Sequence, residues 1–209
     1  MHIPDGFLSP PVFVSSWALS LVSLGYALKK TRGILKDKMI PLMGVMSAFV
    51  FAAQMLNFPV LGGTSGHLLG GVLSAVTLGP YAGAIVLSLV LIVQCLIFQD
   101  GGITALGANI LNMAVIGTIA SYYLYILLKM IFKKNRLIAV FIASWLSVIL
   151  ASVFCAFELA ISGTSLLRIA LPAMICVHIF IGIGEAVITT LILNFILRVR
   201  PDLVEGLKR

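Results

Sequence analysis

Apolar runs of about bilayer length recur along the whole chain. A helix needs roughly 20 apolar residues to cross the hydrocarbon core, and six runs approach or exceed this length: 12–28, 39–58, 81–98, 103–128, 137–159 and 169–197. A shorter run, 67–78, lies between the second and the third. Backbone groups in lipid must be satisfied internally, and the runs lack the alternation of barrel strands, so we predict helices. The predicted fold is an all-α transmembrane bundle of seven segments, forming one domain over residues 1–209.

The composition excludes a soluble fold, since 61% of the residues are hydrophobic and 10% are charged, against about 45–50% and about 25% in soluble domains. The net charge of +7 could indicate a nucleic-acid partner, but 13 of the 14 basic residues stand in three clusters that follow apolar runs: Lys29, Lys30, Arg32, Lys36 and Lys38; Lys129, Lys133, Lys134 and Arg136; Arg198, Arg200, Lys208 and Arg209. Such clusters are a topology signal. We therefore predict contact with membrane lipid and no nucleic-acid partner.

The orientation follows from the number of segments. With seven crossings, all three basic clusters fall on one face, which the positive-inside rule makes cytoplasmic. The N-terminus is then outside and the C-terminus inside, with Arg168 as the one basic residue on the outer side. The first run does not resemble a cleaved signal peptide, because Asp5 precedes it and its first basic residue, Lys29, follows it. We expect Met1 to be the mature N-terminus.

The third segment is too short to cross a membrane alone. Its 12 residues span about 18 Å as a helix, against a hydrocarbon core of about 30 Å, and Gly79-Pro80 then breaks the helix. We expect the glycine-rich loop 58–66 to dip into the membrane where protein covers it. His67 is then expected below the outer surface, facing the interior of the bundle.

Several polar or reactive side chains lie within the apolar runs. Cys95, Cys155 and Cys176 have no paired spacing and are expected to pack in the core. Unpaired polar groups in such segments cost several kcal/mol, so partners are expected for Gln54, Asn57, Gln94, Asn109, Asn112, Glu158 and Glu185. The carboxylates fit a proton relay, orientation of the N-terminal loop or support of a ligating histidine. The sequence assigns no individual role to any of them.

The chain has three histidines, His2, His67 and His178. The Met1 amine, the His2 amide nitrogen and the His2 Nδ1 atom can bind one metal through fused chelate rings, as three nitrogens in a plane. A second imidazole, for which His67 is the best candidate, would complete a square-planar set that suits Ni(II) or Cu(II), whereas zinc prefers a tetrahedron. A histidine at position 2 is in most proteins a plain surface residue, so spacing alone leaves the site open. His178 fits either an interhelical hydrogen bond or metal passage.

Four motifs together resemble the CbiM/NikM family, the substrate-specific S components of energy-coupling factor (ECF) transporters for cobalt and nickel. They are residues 1–10 (MHIPDGFLSP), 62–71 (GGTSGHLLGG), 99–102 (QDGG) with 105–109 (ALGAN), and 157–164 (FELAISGT). The resemblance covers nearly the whole chain. It implies a seven-helix S component with an extra N-terminal helix, an N-terminal metal-binding loop at residues 1–11, and a metal held by Met1, His2 and His67. It does not separate nickel from cobalt.

The resemblance also implies a transport role and partners. The chain would capture Ni(II) or Co(II) outside a prokaryotic cell, at the plasma membrane, for ATP-driven import without an organic cofactor. The expected partners are a transmembrane coupling subunit, ABC-type ATPase subunits and, as an optional member, a small additional membrane subunit. Ala48 and Ala52 form a small-xxx-small pair that resembles the docking surface for the coupling subunit; packing within the chain is the other explanation. No phosphate-binding Gly-x-x-x-x-Gly-Lys-Ser/Thr motif occurs, so a partner would hydrolyse ATP.

Two other functions are weighed against this one. An intramembrane hydrolase could use Glu158, Glu185 and His178, although the nucleophile–base spacing that such an enzyme needs is absent. A stand-alone, ion-coupled metal transporter would need no ATPase. Metal uptake that persists without an ATPase partner would favour this second alternative.

Overall fold

The computed structural model describes residues 1–33, 39–60 and 64–204. The helical segments in these residues are α1 Pro10–Thr31, α2 Met39–Gln54, α3 Gly71–Leu78, α4 Pro80–Phe98, α5 Leu106–Ile131, α6 Arg136–Ile161 and α7 Leu167–Val199. A short 3₁₀ turn, Pro201–Leu203, follows α7. Of these helices, α1, α4, α5, α6 and α7 are long and apolar enough to cross a membrane. The protein is therefore an all-α membrane protein, as the apolar runs predict.

The second apolar run does not remain helical to its end. Helix α2 stops at Gln54 instead of residue 58, and Pro59 disfavours a helical conformation at the residue before it. Strand β1, Phe58–Val60, instead pairs antiparallel with β2, Thr64–Gly66, so that Phe58 lies opposite Gly66. The glycine-rich connection thus contains a hairpin that the sequence analysis does not predict. Its residues 61–63 lie outside the described part of the chain.

Helix α3 is the centre of the bundle. It begins at Gly71, later than the predicted start at residue 67, and all eight of its residues are buried. A side chain at Gly71 would lie 2.1 Å from the carbonyl oxygen of Gly117 in α5, so the two backbones touch there. The predicted break at Gly79-Pro80 is confirmed, because Gly79 has a φ of 88° and Pro80 is the first residue of α4.

Helix α5 also begins later than predicted, at Leu106, and it is not a uniform α-helix. Its central part, Ile110–Ala120, is π-helical over 11 residues, longer than the single-turn bulges in which this geometry mostly appears. Residues 103–105 form a turn instead of helix, because Asp5 binds the backbone nitrogens of Ile103 and Thr104. Helix α5 thus begins directly beneath the N-terminal segment.

The two ends of the bundle differ in chemistry. At one end the N-terminal segment meets the turn before α5, and the Thr164 hydroxyl donates to the carbonyl of Phe7. At the other end, Tyr26 packs edge-on against Tyr81, whose hydroxyl lies 3.0 Å from that of Tyr123. Tyrosine belts of this kind mark membrane–water interfaces.

The described basic residues of all three clusters belong to this tyrosine end. Lys30 lies over the ring of Tyr26 at the end of α1, α6 starts there at Arg136, and α7 ends there at Arg198 and Arg200. The predicted grouping on one face is therefore confirmed for these residues. Lys36, Lys38, Lys208 and Arg209 lie outside the described residues.

One of the three predictions for cysteine is wrong. Cys95 and Cys155 are buried as expected, but Cys176 is exposed on α7. It shares the outward face of that helix with Phe180 and Ile183. A helix that is apolar on every side carries no amphipathic signal, so its sequence cannot show which face meets lipid.

Ala48 and Ala52 lie on the outward face of α2. Both are exposed, as are the neighbouring side chains of Val45 and Phe49. Neither alanine is buried among the described residues.

Candidate metal centre

The N-terminal segment enters the bundle instead of lying on its surface. Met1 and Ile3 have no exposed area, and His2 is 4% exposed. The amide of Ile3 donates to Asn109 Oδ1 over 2.8 Å, and the carbonyl of Ile3 accepts from Asn109 Nδ2 and from the amide of Gly102. These three bonds give Met1 and His2 a fixed position at the start of α5.

Asp5 holds the same segment from its other side. Its carboxylate accepts hydrogen bonds from the Ile103 amide and from both the amide and the hydroxyl of Thr104, and these bonds lower the pKa of Asp5. A side chain at Gly102 would lie 2.2 Å from the backbone nitrogen of Asp5. Only glycine allows the turn to approach the N-terminal segment so closely.

Two backbone nitrogens of the N-terminus converge on one oxygen atom. The Met1 amine lies 3.3 Å from Ser65 Oγ, and the His2 amide donates to the same oxygen over 3.4 Å. Burial lowers the pKa of the Met1 amine to about 5, so at pH 7 the amine is neutral and keeps a lone pair. Ser65 belongs to β2, which therefore brings the hairpin to the N-terminus.

Both ring nitrogens of His2 face oxygen acceptors. Nε2 lies 3.1 Å from Gln94 Oε1 in α4, and Nδ1 lies 3.2 Å from Asp100 Oδ1. Burial lowers the pKa of His2 to about 3, so the ring is neutral at pH 7 and has one proton for two acceptors. Asp100 is fixed in turn by Asn57, whose amide donates to its other oxygen over 2.9 Å.

His67 is fully buried and stacks on His2, with ring centres 4.6 Å apart and planes inclined by 23°. Its Nδ1 atom lies 2.7 Å from the carbonyl oxygen of Leu68. Because a carbonyl can only accept, the ring proton is on Nδ1 and Nε2 has a free lone pair. In the described structure this Nε2 atom has no hydrogen-bond partner. The predicted position of His67, buried and facing the interior, is confirmed.

The segment that follows His67 is held by two helices. The Glu185 carboxylate of α7 accepts from the amides of Leu69 and Gly70, both over 2.8 Å, and Gln54 Nε2 of α2 donates to the carbonyl of Leu69. Gly70 has a φ of 77°, and a side chain there would lie 2.8 Å from Val50. Residues 67–70 therefore have one well-defined path.

The remaining buried polar residues have separate partners. Glu158 accepts from Ser16 and Asn112, away from Glu185, and His178 bonds the carbonyl of Met174. Among the described residues, no hydrogen bond links any two of Glu158, Glu185 and His178. In this part of the chain the three residues of the hydrolase alternative therefore bind separate partners.

The structure brings all three predicted metal-site residues, Met1, His2 and His67, to one buried place. Within residues 1–33, 39–60 and 64–204, no three side chains of His, Cys, Asp or Glu gather closely enough to hold a metal ion. A site of three or more ligands at His2 and His67 would therefore need a donor of another kind. The Met1 amine and the His2 amide, which both lie next to the Ser65 hydroxyl, are nitrogen donors in the same segment.

Sequence reasoning missed four residues around this centre. Gln94 and Asn109 are recognisable as buried polar residues, but nothing in the sequence connects them with His2 and Ile3. Ser65 and Asp100 occur only as members of the quoted motifs. The sequence signal for the site was therefore the set of motifs. The motifs identify which segments meet, but they do not show which residues contact one another.

Several known proteins are similar to this chain over nearly its whole length. Residues 2–203 match the family model CbiM, described as the cobalt uptake substrate-specific transmembrane region. A protein of Archaeoglobus fulgidus, provisionally described as a fused nickel transport protein NikMN, is 45% identical over 98% of this chain and 68% of its own length. The fused nickel transport protein NikMN of Rhodobacter capsulatus is 34% identical over 98% of this chain, which spans 64% of that protein.

Solved structures give the same result for the fold. A crystal structure of a truncated transition metal transporter superposes with a TM-score of 0.90 at 38% identity, covering 95% of this chain and 99% of that one. The fold, the N-terminal segment buried against a glycine-rich hairpin, and the family match lead to one conclusion. The chain belongs to the CbiM family of substrate-specific membrane components for cobalt and nickel transport.

Proposed function

We propose that this protein captures Ni(II) or Co(II) at the end of the bundle that carries its N-terminus, as the S component of an ECF-type importer. Four nitrogens hold the ion: the Met1 amine, the amide nitrogen and Nδ1 of His2, and Nε2 of His67. The observation that carries this proposal is the burial of Met1, His2 and His67 against one another at a single place.

The direction of the backbone nitrogens supports this ligand set. An amide that loses its proton binds a metal along the direction in which its N–H bond pointed. The His2 amide points at Ser65 Oγ, and the Met1 amine faces the same atom. An ion that binds both nitrogens would take the place of the Ser65 hydroxyl as their common partner.

The separation of the two rings also fits a single ion. A metal bound about 2 Å from a ring nitrogen lies about 3.2 Å from the ring centre. Two rings at adjacent corners of a square plane then have centres about 4.5 Å apart. The observed separation of the His2 and His67 centres is 4.6 Å.

Metal binding would leave the single ring proton of His2 with one acceptor, Gln94, instead of two. With the ion on Nδ1, the proton must be on Nε2, where Gln94 Oε1 accepts it. The Asp100 carboxylate then lies next to the ion. A divalent ion, a deprotonated amide and this carboxylate sum to zero net charge, which suits a buried site.

The proposal extends to the membrane and the partners. The bundle crosses the plasma membrane of a prokaryote, the short α3 together with the segment that precedes it, and its N-terminus is outside because the basic residues cluster at the opposite end. A coupling subunit docks at the exposed pair Ala48 and Ala52, and partner ATPases drive import. A small additional membrane subunit is supported by the relatives described as fused, which extend beyond the matched region.

The test is the metal content and affinity of protein purified with its native N-terminus. We expect one Ni(II) or Co(II) per chain, and His67→Ala should remove tight binding while thermal melting shows an intact fold. Structural zinc sites in zinc-finger peptides bind their ion with about 10–16 kcal/mol, which is about 3 kcal/mol for each of four ligands. By analogy, we expect loss of the His67 ligand to weaken binding roughly 100-fold. Cys176→Ser, at an exposed position, is the control. Unchanged stoichiometric binding in His67→Ala would refute the ligand set.

The mode of energy supply needs a separate test in cells. Deletion of the ATPase partners should abolish metal uptake while the purified chain still binds metal. Uptake that persists without them would favour a stand-alone, ion-coupled transporter instead.

A further inference from the structure

His178 is a buried histidine that the proposed site does not use. It lies in the membrane-spanning helix α7 with no exposed area, on the interior face that also carries Met174 and Glu185. Ionisable residues inside membrane segments are rare and mark ion or substrate pathways more often than packing. The use of its two ring nitrogens therefore needs an explanation.

The proton of His178 can be assigned from its one hydrogen bond. Nδ1 lies 2.7 Å from the carbonyl oxygen of Met174, one turn earlier in the same helix. The carbonyl can only accept, so Nδ1 carries the proton and Nε2 has the lone pair. This bond is within the helix, so the interhelical hydrogen bond expected as one reading of His178 is not formed by Nδ1.

The Nε2 atom of His178 is buried without a partner among the described residues. Leaving a buried nitrogen unpaired is destabilising, and such groups in native proteins usually have a functional reason. His67 has the same arrangement, with Nδ1 on a backbone carbonyl and an unpartnered Nε2. His178 also shares the buried face of α7 with Glu185, whose carboxylate bonds the amides of Leu69 and Gly70 just after His67.

We propose that His178 Nε2 is an inner ligand, which takes the divalent cation from the outer site as the ion moves into the bundle. This inference rests on the proposed function and adds a second binding position for the ion. Capture does not need His178, because four nitrogens already hold the ion outside. During transfer the ion exchanges the His2 and Met1 nitrogens for His178 Nε2, and the His2 amide takes back from water the proton that it lost when the ion bound.

Substitution by asparagine separates a ligand from a structural residue. In His178→Asn the amide nitrogen lies near the former Nδ1 position and can keep the bond to Met174, but no group replaces Nε2. We expect Ni(II) affinity of the purified chain to remain at the wild-type value, and uptake by cells with the complete transporter to fall about tenfold or more. Normal uptake by His178→Asn, with a defect only in His178→Ala, would show a structural role and overturn the proposal.

A spectroscopic experiment can detect directly whether the ion reaches position 178. In His67→Ala/His178→Cys, the outer site is weakened and a thiol replaces the inner imidazole. Addition of Co(II) should produce a thiolate-to-metal charge-transfer band that is absent from His67→Ala/His178→Ser, which retains the three native cysteines. Equal spectra in the two variants would mean that the ion does not reach position 178.

The two proposals fail in distinguishable ways. Wild-type protein that binds no metal, or His67→Ala that binds as tightly as wild type, contradicts the outer site. A normal outer site combined with normal uptake by His178→Asn, or with no charge-transfer band, contradicts the inner ligand alone. Loss of wild-type affinity in His178→Asn would show that His178 contributes to the outer site. It would also overturn the proposed role of His178 as a second binding position.

Discussion

The imidazole rings of His2 and His67 lie with their centres 4.6 Å apart and their planes inclined by 23°. One ring belongs to the buried N-terminal segment, and the other follows the β-hairpin that connects α2 to α3. Gln94 and Asn109 hold the first from α4 and α5, whereas Gln54 and Glu185 hold the segment of the second from α2 and α7. The pair thus joins elements from the whole length of the chain.

Addition of one alanine before Met1 is expected to abolish tight metal binding without unfolding the protein. The Met1 amine would become an amide, and the new terminus would have to enter a site in which Met1 has no exposed area. Calorimetry with Ni(II) on native and extended protein tests this expectation, with thermal melting as the check on folding. Equal affinity in the two would rule out the N-terminal chelate.

Asp100→Asn is expected to weaken Ni(II) binding about tenfold or more. The carboxylate lies 3.2 Å from His2 Nδ1, and a nearby charge pair is worth about 4 kcal/mol at an effective dielectric constant of 20; partial solvent exposure of Asp100 reduces that value. Asp202→Asn, which removes an exposed ion pair with Arg200 at the other end of the molecule, is the matched control. A titration that gives both variants wild-type affinity would exclude Asp100 from the electrostatics of the site.

Glu185→Gln is expected to lower metal affinity by about 10- to 100-fold, as loss of a group that supports a ligand typically does. Glutamine has one oxygen for the two amides of Leu69 and Gly70, and its NH₂ group would face one of them. Thermal melting should show a cost of about 1–3 kcal/mol for the unpaired amide. Glu158→Gln, which changes a carboxylate bound to Ser16 and Asn112, is the control. If the two variants lose affinity equally, Glu185 has no special role in positioning His67.

Metal binding at pH 7 is expected to release about one proton per ion. Burial lowers the pKa of the Met1 amine to about 5 and that of His2 to about 3, so both are neutral at pH 7 and only the His2 amide must lose a proton. Affinity then rises with pH, by about tenfold per unit between pH 5 and 7, and more steeply below pH 5, where the amine is also protonated. Calorimetry in two buffers of different ionisation enthalpy measures the proton count. Release of two or more protons at pH 7 would contradict a neutral amine.

The orientation in the membrane can be tested with single cysteines in a background without the three native ones. Arg168→Cys lies in the first turn of α7 at the end that carries the N-terminus, whereas Lys134→Cys lies at the tyrosine end. A membrane-impermeant maleimide should label Arg168→Cys in intact cells and Lys134→Cys only after lysis. Labelling of both in intact cells would contradict the predicted topology.

The sequence by itself determined the membrane class, the break at Gly79-Pro80 and the grouping of the described basic residues at one end. These properties depend on the length of apolar runs, on a proline that cannot continue a helix and on the order of charges, all of which can be read along the chain. It also determined which segments carry the motifs of the proposed metal site, because Met1, His2 and His67 each stand within one.

Only the tertiary structure decided how those segments meet. In the structure α2 ends at Gln54, the two strands of the hairpin pair, Cys176 is exposed and His178 faces inward. The predictions for the second run and for Cys176 were therefore wrong. It also gave Ser65, Asp100, Gln94 and Glu185 their places around the site. The physical reason is that a helix surrounded by lipid and protein is apolar on all sides, so periodicity does not reveal its buried face. Many polar contacts at the centre, such as those of His2 with Gln94 and of Ile3 with Asn109, join residues far apart in the chain, and only the packing of the bundle brings them within hydrogen-bond distance.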